Sequence, residues 1–114
     1  MSTDQGTERE HEHLAERIAA AVLEHPCVAR LDGGEHGTVA THLPGRRVTG
    51  VRTAADTDGP TEVCVVLLLR RPLPDLVAEI RERVREVTGE ARIDVTVADV
   101  LEQPEPDQRA GERT

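Results

Sequence analysis

Glu62-Val-Cys-Val-Val-Leu-Leu-Leu-Arg70, Leu73-Pro-Asp-Leu-Val-Ala-Glu-Ile-Arg-Glu-Arg-Val-Arg-Glu-Val-Thr88 and Arg92-Ile-Asp-Val-Thr-Val97 decide the fold of this chain. The first run is apolar without interruption, which is how a strand covered on both faces reads. Pro72 and Pro74 end it, and Pro74 suits the first turn of a helix. Asp75 sits where the positive end of the helix dipole favours a carboxylate. The helix that follows carries Leu76, Val77, Ile80, Val84 and Val87 on one stripe. Its other face alternates Glu79, Glu82 and Glu86 with Arg81, Arg83 and Arg85, which reads as a solvated surface with Glu79 and Arg83 at i,i+4 spacing. Gly89 is placed to cap the helix in the left-handed conformation. In the last run Ile93, Val95 and Val97 face one way, while Asp94 and Thr96 face the other. That alternation predicts a half-exposed strand.

Upstream, Thr7 and Glu10 form a capping box for a helix from about Glu8 to His25, stopped by Pro26. Leu14, Ala15, Ile18, Ala21 and Val22 form its apolar face. Three short extended pieces follow. Cys27–Leu31 is closed by Asp32-Gly33-Gly34, Thr38–Leu43 by a Pro44-Gly45 turn, and Val48–Thr53 is the third. Asp58-Gly59 then turns this third piece antiparallel into the central strand. The expected fold is α+β, a two-layer α/β arrangement in the order α-β-β-β-β-α-β. Both helices pack on one face of a sheet of about three to five strands. A single domain is expected over residues 7–101, with a disordered leader at 1–6 and a disordered polar tail at 102–114.

Composition narrows the function. The chain has 114 residues and no Phe, Tyr or Trp, so its core is aliphatic. That excludes aromatic cages and removes the stacking rings that single-strand nucleic-acid binders and RRM-type sheets use. A net charge of −8 disfavours nucleic acid and anionic lipid. All 14 Lys/Arg positions are Arg. Cys27 and Cys64 read as small buried hydrophobes of a reducing compartment. No apolar run approaches the ~20 residues of a membrane span, and the first residues lack the regions of a signal peptide. A cytoplasmic protein without direct membrane insertion is expected.

Candidate chemistry is sparse. His11-Glu12-His13 places its two His on different sides of a helix, so a metal tripod is not expected there. Gly34-Glu35-His36-Gly37 has the letters of a KH loop but lies between extended pieces rather than helices. His36 and His42 have no motif that sets a nucleophile beside them, and Ser2 is the only serine. No catalytic residue, cofactor site or metal site is assigned, and no enzyme is expected. The notable feature is Arg46, Arg47, Arg52, Arg70 and Arg71, arginines of an acidic chain that cluster at two turns and the adjoining strand ends. They read as a docking patch for an acidic partner, against the plainer reading of charge that guards strand ends.

Two segments resemble the alkaline shock protein family, the bacterial envelope-stress or general-stress proteins, in their actinobacterial form. The first comprises Ile18-Ala-Ala-Ala-Val22, Pro26-Cys-Val-Ala-Arg-Leu31, Leu43-Pro-Gly-Arg-Arg-Val48 and Gly50-Val-Arg52. The second comprises Leu73-Pro-Asp-Leu76, Ile80, Val84, Thr88-Gly89, Ile93, Val95, Val97 and Val100. Together they cover about residues 14–100. The chain departs from the family in its acidic, His-containing leader and in having Arg71-Pro72 where an aromatic-Gly pair commonly stands. The resemblance implies a cytoplasmic, non-enzymatic stress-response protein without a cofactor. It would act by self-association into a homo-oligomer or by docking to a membrane-anchored protein partner, and so be membrane-associated only through that partner. The alternative from another class is a small nucleic-acid-binding module using Arg46, Arg47, Arg52, Arg70 and Arg71.

Overall fold

The computed structural model describes residues 14–53 and 59–103. It shows an α+β fold whose centre is the apolar run. Strand β5 (Thr61–Leu68) is hydrogen-bonded along both edges. On one edge lie β1 (Val28–Leu31) and β4 (Val51–Arg52), both antiparallel, β1 beside Val65–Leu67 and β4 beside Glu62–Val63. On the other edge β6 (Ile93–Leu101) runs parallel along the whole of β5. Strands β2 (Ala40–Leu43) and β3 (Arg46–Thr49) form a separate two-stranded hairpin. Gly45, with φ 77°, completes its turn after Pro44.

Helix α1 (residues 14–23) and helix α2 (Leu73–Thr88) cover one face of this sheet. Ala15, Ile18 and Val22 of α1 meet Leu76, Ile80 and Val84 of α2 over Val63, Val65 and Leu67 of β5. Each of the Ile, Val and Leu side chains among these contributes about 1.5–3 kcal/mol when fully withdrawn from water. Gly89 caps α2 at φ 74°, its N–H on Arg85 O at 2.7 Å. The buried hydroxyls are satisfied, Thr41 Oγ1 donating to Val51 O and Thr61 Oγ1 to Glu90.

Several expectations are corrected. The third extended piece is not one strand but two, cut at Gly50, whose N–H binds Val39 O and whose carbonyl accepts from Cys64 N–H. Ala19, rather than Ala21, packs with the α1 stripe, and Leu73 joins the α2 stripe where Val77 does not. Strand β6 extends to Leu101, with an irregularity at Ala98 that returns Val100 to register with Leu67. The Glu79–Arg83 pair does not form. Arg83 instead donates to Ala21 O of α1 and Arg81 to Ile93 O of β6, so the charged face of α2 laces the helix to its neighbours. The Thr7–Glu10 capping box, His11, His13, Asp58, the leader at 1–6 and most of the tail lie outside the described residues.

Candidate functional site

The arginines singled out in the sequence divide into two kinds. Arg46 closes on Glu16 of α1 through Nε and Nη2, at 2.7 and 3.1 Å. Arg52 grips Glu62 across the β4–β5 pair, Nε at 2.9 Å. Arg71 makes a two-pronged pair with Glu79 of α2, both contacts 2.7 Å. Arg47 and Arg70 are exposed and have no carboxylate partner among the described residues. The cluster does not converge on one spot. Arg52 sits at the start of β5 and Arg70 beyond its end, separated by roughly 25 Å of strand. Arg46 and Arg47 open β3 beside α1.

The end of β5 holds a constellation that sequence reasoning missed. His25 follows α1 in the turn forced by Pro26 and is 2% exposed. Its Nδ1 accepts from Cys27 N–H at 3.0 Å, and its Nε2 lies 2.7 Å from Glu79 Oε1. Because Nδ1 accepts, the ring proton is on Nε2 and donates to Glu79. Glu79 thus receives Arg71 and His25 together, and these contacts, Arg71's first, hold its carboxyl down to about 2. The same pair with Glu79 pushes the Arg71 guanidinium up. One carboxylate therefore ties the α1–β1 turn and the β5–α2 turn to α2. A His set between the end of a helix and the proline that stops it was the available signal, but its partner Glu79 is 54 residues away.

On the opposite sheet face a cleft of about 440 Å³ is lined by Asp32, Gly34, Glu35, Cys64, Thr96 and Ala98. Its Asp32 carboxylate is already engaged by Arg30 and the Gly34 N–H. The Gly34 N–H, then Arg30, lower the Asp32 pKa, while burial and then the Asp32 charge push the Cys64 thiol up. A raised thiol is a poor nucleophile. Cys27 and Cys64 are both buried and free. Residues 32–39 form the β1–β2 loop, which joins strands and not helices; His36 stands exposed within it and His42 exposed on β2. Among the described residues no group of His, Cys, Asp and Glu has the geometry of a metal site. No described helix is long and apolar enough to cross a membrane.

Two other side chains escaped the sequence reading, Leu23 and Leu69, which stand 48% and 47% exposed at the end of α1 and just after β5. Leu23 falls off the α1 stripe, so its exposure was readable from helical spacing. No protein-family model, no curated protein and no solved structure matches this chain.

Proposed function

We propose that this protein is a non-enzymatic interaction or scaffold protein that works by docking, in the manner implied by its resemblance to the alkaline shock proteins of the envelope stress response. Its partner is another protein, membrane-anchored, or a further copy of itself, and it needs no cofactor. One observation carries the reading. Arg46 is clamped by Glu16 at the turn end of the β2–β3 hairpin, and its neighbour Arg47 stands exposed without a carboxylate. On a chain of net charge −8, an exposed guanidinium with no carboxylate of its own favours one supplied by another molecule.

The test is co-purification from native membranes with Arg47→Glu. Arg46 is left intact, because reversing it would also break its contact with Glu16. Loss of a stoichiometric partner on Arg47→Glu supports the reading. A protein that copurifies equally with the variant removes Arg47 from it, and a chain with no partner and no self-association in either form refutes it.

A further inference from the structure

Four exposed groups gather where β5 ends. Leu69 follows the strand directly, with its N–H on Leu101 O at 2.8 Å, and Arg70 follows in a tight turn onto Leu68 O. Leu23 and Glu24 close α1 at the same end, since the carbonyl of Cys27, four residues after Leu23, accepts the N–H of Leu68 at 2.7 Å. Leu23 and Leu69 are the large hydrophobic residues that stand exposed among those described. Glu24 and Arg70 are both exposed, and neither has an ion-pair partner among the described residues. Opposite charges at one end of the fold, left without an ion pair within the described chain and set beside exposed leucines, are self-complementary.

From this we infer that the β5 end is a two-fold interface with a second copy of this chain, a proposal that rests on the docking role above and names a surface for it. In an isologous contact each group meets its symmetry-related counterpart. Leu23 and Leu69 of one copy pack against those of the other, and Arg70 pairs with Glu24 of the second copy, twice over. The neighbouring Arg71 is held by Glu79 and stays with its own chain. Two half-exposed leucines fall well short of the ~800 Å² per partner of a standard interface, so the dimer belongs to the weak, concentration-dependent class.

The experiment is sedimentation of the full chain from about 10 μM to about 1 mM, a range that brackets weak association. The expected result is a reversible monomer–dimer equilibrium. Leu69→Gln and Leu23→Gln each weaken it by about tenfold or more. Arg70→Glu and Glu24→Arg each weaken it, and the double charge swap recovers to within about threefold of the original. Circular dichroism and thermal melting confirm that each variant is folded, as expected for half-exposed positions. A chain that stays monomeric throughout overturns the interface but leaves the Arg47 docking reading to its own test. A dimer indifferent to Leu69→Gln, or a charge swap no better than its single variants, also overturns the interface while leaving self-association in place.

Discussion

A Cβ on Gly50 would stand 2.7 Å from Leu31 Cβ, 3.0 Å from Asp32 N and 3.1 Å from Cys64 O, at a φ of +87°. Two of those atoms are backbone, so neither can rotate away, and the conformation is one that L side chains rarely adopt. Gly50→Ala is expected to destabilise by about 2–4 kcal/mol, combining backbone strain with overpacking. Gly89 is the control. Its φ is +74° but nothing lies within 4 Å of the added Cβ, so Gly89→Ala is expected to cost only about 1 kcal/mol. Thermal unfolding of the two variants side by side separates strain from collision. If Gly89→Ala melts as low as Gly50→Ala, the close approach at Gly50 is not what matters. Glu79 makes a second residue-level prediction, with a sign that follows from its pKa. Its ordinary value of 4.5 is depressed to about 2 in the fold, chiefly by Arg71 and then by His25. The stabilisation is therefore fully present above pH 4.5 and is lost as pH falls through about 2. Denaturant midpoints of the wild type and Glu79→Gln are expected to differ at pH 7 and to draw together on acidification below pH 4.5. A gap that stays constant down to pH 2 would mean that the carboxylate's charge is not the source of the difference.

At the scale of elements, α2 shows what spacing can and cannot decide. Its stripe was legible because burial follows helical geometry, and Leu76, Ile80 and Val84 are all fully buried. Val77 lies at the margin of that stripe and packs outside the core, which periodicity alone does not resolve. Ile80→Ala is accordingly expected to cost about 2–5 kcal/mol, whereas Val77→Ala is expected to cost less than about 1 kcal/mol. Equal losses in denaturant melts would show that the helix sits rotated from this packing. The charged side of α2 was not legible. Local spacing pairs Glu79 with Arg83, but Glu79 turns to Arg71 and His25 while Arg83 reaches a carbonyl of α1. An exposed i,i+4 pair contributes only about 0.3–0.5 kcal/mol, so tertiary partners easily outcompete it. Gly50 likewise hid in a short extended run, because the atoms that leave no room for a Cβ there belong to Leu31, Asp32 and Cys64 in other parts of the chain. The arginine cluster was visible as composition, yet its division into clamped and free members rests on Glu16, Glu62 and Glu79, of which Glu16 is 30 residues from Arg46.

For the whole molecule, the parallel β5–β6 pair leaves an open edge. Among the described residues β6 pairs only with β5, so one side of a nine-residue strand presents unpaired backbone groups. Such an edge templates unwanted pairing unless something blunts it. Here the exposed Asp94 and Asp99 bracket the irregularity at Ala98, and the chain as a whole carries a charge of −8. Charge on the edge opposes a second strand, and the kink at Ala98 interrupts the register that pairing would need. Replacing Asp94 and Asp99 with Val leaves the helix-facing core untouched, since both side chains point to the face of Glu62 and Val66, away from the helices. The double variant is therefore expected to fold with a near-native circular dichroism spectrum and then to aggregate. Light scattering and thioflavin fluorescence at neutral pH should rise over hours at concentrations where the wild type stays clear. The end-on contact through Leu23 and Leu69 does not use this edge, so Leu69→Gln added to the double variant should leave the aggregation unchanged. If the double variant stays clear, or if Leu69→Gln suppresses its aggregation, the acidic residues are not what keeps β6 solitary.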